Sequence, residues 1–182
     1  MNLKWKTLVG YNSFWKLKVY ISKLDIFLSQ RKYVLDQLAE TSMLDCKPMD
    51  TPIVQNHHLT EYPDQVPINI EQYQKLVGRL IYLSRPDITH AVNLVSQFMH
   101  NPIEVHMEAP LWVLRYLKSS PGREILFSKN DHLNIISYTD IDWAENLTAR
   151  KFTSGYFTFV GGNLVTWKSK KQKVVYVSSA ET

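Results

Sequence analysis

The chain has 182 residues, 21 lysines and arginines against 17 acidic side chains, a net charge of +4 and 45% hydrophobic residues. That apolar content excludes global disorder, the length fits one domain or two small ones, and the mild basicity is compatible with a polyanionic partner without requiring one. The single cysteine, Cys46, excludes an intrachain disulfide, and neither a signal-peptide core nor an apolar run of roughly 20 residues is present, which together predict an intracellular protein, cytoplasmic or nuclear, with no membrane partner.

Residues 1–13 show no period, because Gly10, Asn12 and Ser13 interrupt the apolar positions. From Phe14 the pattern sharpens. Leu17, Val19 and Ile21 alternate with Lys16, Lys18 and Tyr20, which is strand spacing. Ser22 to Asp25 reads as a turn and Ile26 to Ser29 as the returning strand, a hairpin without the usual Asn-Gly or Asp-Gly turn. Lys32 to Glu40 is helical in pattern, with Tyr33, Val34, Leu38 and then Met43 and Leu44 on one face.

Residues 45–69 contain Pro48, Pro52, Pro63 and Pro67. Proline excludes long helices and central strands, and the segment is long for a loop inside one domain. It predicts a boundary between two structural units, with 14–54 before it, a linker proper over 55–69, and a helical region over 70–122.

Three helical patterns follow. Tyr73, Leu76, Val77, Leu80 and Ile81 have 3-4 spacing. Pro86 suits a helix start and Asp87 its first turn; Ile88, Ala91, Val92, Val95, Phe98 and Met99 continue that helix until Pro102. The third pattern uses Ala109, Val113, Leu114 and Leu117 and stops at Pro121-Gly122. Pro110 lies inside it and would cost about 3 kcal/mol in a helix interior, so the helix either begins there or carries a damaged site.

The last third changes to strand character. Leu133 to Thr139 and Thr153 to Val160 are strand candidates, Gly161-Gly162-Asn163 is a turn, and Leu164 to Trp167 returns. Val174 to Val177 extends a strand. Ser178-Ser179-Ala180-Glu181 has the form of a capping box, one residue before the sequence stops. A helix does not form from its cap alone, so the pattern predicts a chain cut while its fold is still being built.

Ser137-Tyr138-Thr139-Asp140 delivers a carboxylate to a strand exit, a common way to begin a metal site. Asp140 with Asp142 could hold Mg²⁺ or could be two solvated acids. Lys168, Lys170, Lys171 and Lys173 could track nucleic-acid phosphates or guard a sheet edge against pairing. Tyr138, Trp143, Tyr156 and Trp167 favour core packing over base stacking, as aromatic residues in strands do. His57-His58 with Cys46 lacks the spacing and the second cysteine of a zinc site. His100 and His106, on either side of Pro102, are expected to face solvent. Gly161-Gly162 is a hairpin turn and not a phosphate loop, since no helix start follows it.

Several blocks resemble the Pol polyprotein of copia-type long-terminal-repeat retrotransposons. They are Ile26-Phe-Leu-Ser-Gln-Arg-Lys-Tyr33, Met43-Leu-Asp-Cys-Lys-Pro-Met-Asp-Thr-Pro52, Tyr73-Gln-Lys-Leu-Val-Gly-Arg-Leu-Ile-Tyr-Leu83 and Arg85-Pro-Asp-Ile88. Leu114-Arg-Tyr-Leu-Lys118, Tyr138-Thr-Asp-Ile-Asp-Trp-Ala144, Thr153-Ser-Gly-Tyr156 and Trp167-Lys-Ser-Lys-Lys-Gln172 follow in order. The resemblance implies an α+β chain. It would join a reverse-transcriptase tail (hairpin, then thumb and connection helices) to the first strands of a ribonuclease H-like mixed sheet, over 131–182. It also implies an RNA–DNA hybrid or DNA as partner and Mg²⁺ as cofactor.

Within that resemblance Asp140 matches the first carboxylate of the ribonuclease H metal site. The family pattern Ser-Ser-Ala-Glu-x-Glu places its next ligand one residue beyond Thr182, and Glu181, a helical position about 100° away, is a poor substitute. No Asp-Asp pair of the polymerase type occurs in the sequence. Trp15-Lys16-Leu17-Lys18 stands where the family has Leu-Gly-Ile-Glu, Ser84 alone separates Leu83 from Arg85, and Ala144-Glu145 replaces Ala-Gly. These departures, with Pro110, predict a truncated, degenerate copy that is catalytically inert alone. The competing expectation is a co-opted, non-catalytic module that binds nucleic acid or another partner through its basic C-terminal hairpin.

Overall fold

The computed structural model describes residues 4–5, 17–54, 59, 66–142 and 153–171. The chain divides into two compact units, Met1–Lys129 and Asn130–Thr182. The proline-containing segment predicts a division at 45–69, but the helices on either side of it share one core. Tyr33, Val34, Leu38 and Met43 pack in the same cluster as Leu76, Leu80, Ile88, Val92, Val113 and Leu117. Part of the predicted connector lies along the last helix of that unit, held by hydrogen bonds from Met49 N to Arg115 O (3.2 Å) and from Trp112 Nε1 to Thr51 O (2.9 Å). In its described part, the stretch around Pro48 and Pro52 stays out of helices and strands without being detached from the core.

The first unit contains an antiparallel sheet of β1 (Lys4–Trp5), β2 (Lys18–Ile21), β3 (Asp25–Ser29) and β4 (Ile125–Ser128), in that order. The β2–β3 hairpin closes through Ser22, whose N donates to Asp25 O (2.8 Å) and whose Oγ accepts from Asp25 N (2.8 Å). This local side-chain bond does the work of the missing glycine turn. β4 has no counterpart in the sequence patterning. Four residues are too few for an alternation signal, and the strand exists because Ile125 pairs with Leu28 and Phe127 with Ile26.

Four helices follow the apolar periods: α1 (Arg31–Glu40), α2 (Ile70–Ile81), α3 (Thr89–Ser96) and α4 (Glu104–Ser119). Asn69 caps α2, its side chain accepting from Gln72 N at 3.1 Å. Met43 is buried, whereas Leu44 is about half exposed. The chain leaves α1 at Thr41 and Ser42 takes a φ of 55°, so the helical phase does not reach residue 44. The second pattern divides: Pro86–Ile88 form a 3-10 turn, α3 ends at Ser96, and Phe98 and Met99 lie in the turn beyond.

α4 corrects two expectations. It begins at Glu104, not at Pro110, and runs through the buried proline without a break. His106 does not face solvent. It is 1% exposed, stacks on Phe98 with ring centroids 3.8 Å apart, and its Nδ1 accepts from Ile103 N at 3.2 Å. His106 therefore ties down the first turn of α4, a role that spacing from Pro102 does not reveal. His100 is exposed, as expected.

Asp87 does more than complement a helix dipole. Its carboxylate accepts from Arg85 Nε (2.8 Å) and Nη2 (2.6 Å), from Tyr116 Oη (2.7 Å) and from Arg123 Nη1 (2.8 Å). Arg85, 4% exposed, also donates to Ser120 O at 2.9 Å. The cluster joins the 3-10 turn to the end of α4. Burial pushes the Asp87 pKa up, but the hydrogen bonds from Arg85, Tyr116 and Arg123 and the Arg85 charge outweigh it and bring it down to about 2.

The second unit is an antiparallel sheet of β5 (Ile135–Asp142), β6 (Thr153–Val160) and β7 (Asn163–Lys171), with β6 central. β5 starts two residues later than its apolar pattern suggests, and Leu133 before it is 82% exposed. Gly161 and Gly162 make the β6–β7 turn with φ of 55° and 78°. A Cβ on Gly161 would lie 2.6 Å from His132 O, so this position needs glycine for space as well as conformation. Opposite β6, Val165 is the extra residue of a bulge, since Thr158 pairs with Thr166 and Phe159 with Leu164. The strand expected over 174–177 and the capping box at 178–181 lie outside the described residues.

Two outcomes test these contacts. Asp87→Asn should cost about 2 kcal/mol at neutral pH, because it leaves the buried Arg85 without its counter-charge. A carboxyl depressed in the folded state stabilises above its unfolded pKa, and that contribution fades as pH falls through the folded pKa. Denaturant titrations should therefore show the gap between wild type and variant shrinking from about pH 4 towards pH 2. A gap independent of pH over that range would contradict the network. Gly161→Ala should destabilise the second unit by about 2 kcal/mol or more, read as loss of β6–β7 amide protection in hydrogen exchange.

Candidate functional site

In an antiparallel pair, directly opposite residues point to the same face and neighbours along a strand to opposite faces. The register therefore sorts every described side chain of the second unit. Ile136, Tyr138 and Asp140 of β5 share a face with Phe157 and Phe159 of β6 and Trp167 of β7. The rings make contact there. Tyr138 and Phe157 stack at 5.1 Å, and Phe159 meets both edge-on at 6.3 and 5.9 Å.

Ser137, Thr139, Ser154, Tyr156, Thr158, Thr166, Lys168 and Lys170 lie on the other face, with Ile135 and Val160 towards the Gly-Gly turn. Ser137 Oγ and Thr158 Oγ1 are 2.9 Å apart across the β5–β6 pair, which fixes the direction of this face independently of the ring contacts.

Asp140 stands at the acidic end of the aromatic face. Its cross-strand neighbour is Gly155, and beyond that Ser169. Asp140 is exposed, and the position directly opposite it carries no side chain to serve as a second ligand. Hard divalent cations take six or more oxygen donors, and a two-ion site needs several carboxylates. Among the described residues no group of three or more His, Cys, Asp or Glu is arranged to hold a metal ion. The described residues thus do not fit a pair of Mg²⁺ ions at Asp140. Glu181 lies outside them, and the side chain of Asp142 is not described.

The basic run divides in the same way. Lys168 is opposite Tyr156 and Lys170 opposite Ser154, both lysines exposed on the hydroxyl face. The backbone of Lys171 pairs with Thr153 at the end of β7; its side chain and all of Lys173 lie outside the described residues. Asp140, expected as a metal ligand, and the two described lysines, expected as phosphate contacts or edge guards, project from opposite faces. The expectation that Tyr138 and Tyr156 are core is also corrected: they are 52% and 41% exposed. Tyr156 joins the lysine face through register alone. Counting across the Gly-Gly turn would have set it opposite Trp167; the bulge at Val165 shifts the register by one and brings Lys168 opposite it.

Cys46 is a partly buried free thiol, and its carbonyl oxygen accepts from Lys118 Nζ. His57 and His58 lie outside the described residues. No helix among the described residues is long and apolar enough to cross a membrane.

No family model and no solved structure matches the chain. It is similar, however, to curated proteins along most of its length. Over 158 residues, 86% of the chain, it is 42% identical to the Retrovirus-related Pol polyprotein from transposon RE1 of Arabidopsis thaliana. Over 168 residues it is 39% identical to the Retrovirus-related Pol polyprotein from transposon TNT 1-94 of Nicotiana tabacum. An uncharacterized mitochondrial protein of Arabidopsis thaliana is 39% identical over 163 residues. The chain spans only 11% and 12% of the two polyproteins and 66% of the mitochondrial protein. Identity at this level, over the same share of the chain and in polyproteins of two different plants, means that the chain belongs to the retrovirus-related Pol polyproteins of transposons.

Proposed function

We propose that this chain is a copia-type Pol segment that joins the end of a reverse transcriptase to the first strands of a ribonuclease H domain, and that it catalyses neither reaction by itself. One observation carries the reading. Asp140 lies near the end of β5 on a face whose next cross-strand position is a glycine, and among the described residues no group of acidic side chains is arranged to hold a metal ion, where hydrolysis of a hybrid strand needs several. Two closely spaced divalent ions would activate water and stabilise the leaving oxygen in such a reaction. The part left to this chain's own described residues is the presentation of one ligand, Asp140, two residues before the end of β5. The order of the eight sequence blocks, from Ile26 to Gln172, supports the assignment of the two halves.

Nucleic acid is the partner class that follows from this reading, with an RNA–DNA hybrid as the substrate of the intact machinery. Mg²⁺ is not bound usefully by the isolated chain. The departures at Pro110, Ser84 and Glu145 fit a copy released from selection for activity.

The test is direct. The purified full chain, given a labelled RNA–DNA hybrid with Mg²⁺ or Mn²⁺, should release no product above a protein-free control, and Asp140→Asn should behave identically. Metal-dependent cleavage that disappears in Asp140→Asn would overturn the inert reading and make Asp140 a working ligand.

A further inference from the structure

We propose that the hydroxyl face of the β5–β6–β7 sheet is a binding surface for one strand of a nucleic acid, with Lys168 and Lys170 on its phosphates and Tyr156 as a base-stacking platform. The proposal takes only its partner class from the Pol reading; its geometry comes from the sheet.

The first support is charge sorting. Among the described side chains, the charged residues on this face are Lys168 and Lys170, whereas Asp140 projects from the opposite face. An extended polyanion on the lysine side therefore meets no described carboxylate on that face, and the pleat puts the sheet between it and Asp140. The second is spacing. Lys168 and Lys170 are two residues apart on one strand, so their Cα atoms are about 6.8 Å apart, a separation comparable with neighbouring phosphates along a strand.

The third support is the lining. Ser137, Thr139, Ser154, Thr158 and Thr166 line the middle of the face with hydroxyls that can donate to phosphate and sugar oxygens, and the apolar Ile135 and Val160 lie at its turn end. Tyr156, 41% exposed, sits on the central strand directly opposite Lys168. A ring beside a cation is the pairing that surfaces for single strands use, the base stacking while the ammonium holds the backbone. Finally, the three described strands span about 10 Å from outer strand to outer strand, wide enough for one extended strand to lie along them.

The aromatic face does not compete for this role. Tyr138 and Phe157 are as exposed as Tyr156, but they stack on one another and share their face with Asp140, whose charge repels a phosphate strand.

Fluorescence anisotropy of a labelled single-stranded oligonucleotide with the full chain tests the proposal. Binding should weaken with salt, and each lost phosphate contact should lower the log–log slope by about 0.7. Lys168→Ala with Lys170→Ala should therefore lower it by about 1.4. Lys23→Ala with Lys32→Ala, which removes the same charge from exposed positions of the first unit, should leave it unchanged. Tyr156→Ala should weaken binding about fivefold or more while Tyr156→Phe retains it, with circular dichroism checking that each variant keeps its sheet. Equal losses from the two lysine pairs would mean diffuse attraction and overturn the surface. So would indifference to Tyr156→Ala, or the absence of binding at low salt. The variant results leave the Pol reading untouched, because its test is cleavage; the absence of all binding at low salt would also count against its partner class.

Discussion

The β6–β7 turn sets what the second unit can present. Gly161 and Gly162 occupy left-handed conformations, and the carbonyl of His132 closes the space above Gly161. Gly161 N also donates to Asn134 O at 2.9 Å, just before β5. One turn thereby fixes the end of β6, the start of β7 and the approach to β5. Because strand side chains alternate with a period of two, a slip of one residue would move every side chain to the other face. The pairing of Asp140 with Gly155, and of Tyr156 with Lys168, depends on that turn.

The same alternation separates two chemistries that lie close together in the sequence. The carboxylate goes with the aromatic rings, and the ammonium groups go with the hydroxyls. Apolar rings gain by being removed from water, whereas lysines and hydroxyls gain by staying in it, so the sheet has one face suited to packing and one suited to solvent or polar ligands. An acid at the end of an apolar face can project from the rim without being buried. That is the position the proposed metal ligand would need, and the described residues do not complete a site around it.

The first unit depends on a different constraint, the burial of a charged group. Arg85 is almost fully enclosed, and an enclosed guanidinium is tolerable only if its charge is met and its donors are used. Asp87 and Ser120 meet that demand, and Tyr116 and Arg123 complete the shell around the carboxylate. The helices around it supply apolar contact area; the cluster adds directionality, fixing how the turn before α3 meets the end of α4. Gln30 acts similarly nearby, donating to Tyr82 O and accepting from Ser84 N, and so ties the start of α1 to the end of α2.

The amino-acid sequence by itself determined the α+β class, the positions of most helices and strands, the Gly-Gly turn and the kinship with transposon Pol polyproteins. Each of these is written locally, in a period of 3.6 or 2, in a backbone conformation only glycine adopts readily, or in a string of identities. The tertiary structure alone decided that β4 exists, that His106 is buried against Phe98, that the segment around Met49 lies along α4, and that Asp140 and Lys168 point away from each other. Those outcomes come from pairings between residues far apart in the chain. A four-residue strand has no pattern of its own, a histidine beside a proline carries no mark of its stacking partner, and the face on which a strand residue falls is settled only when its neighbours' register is fixed.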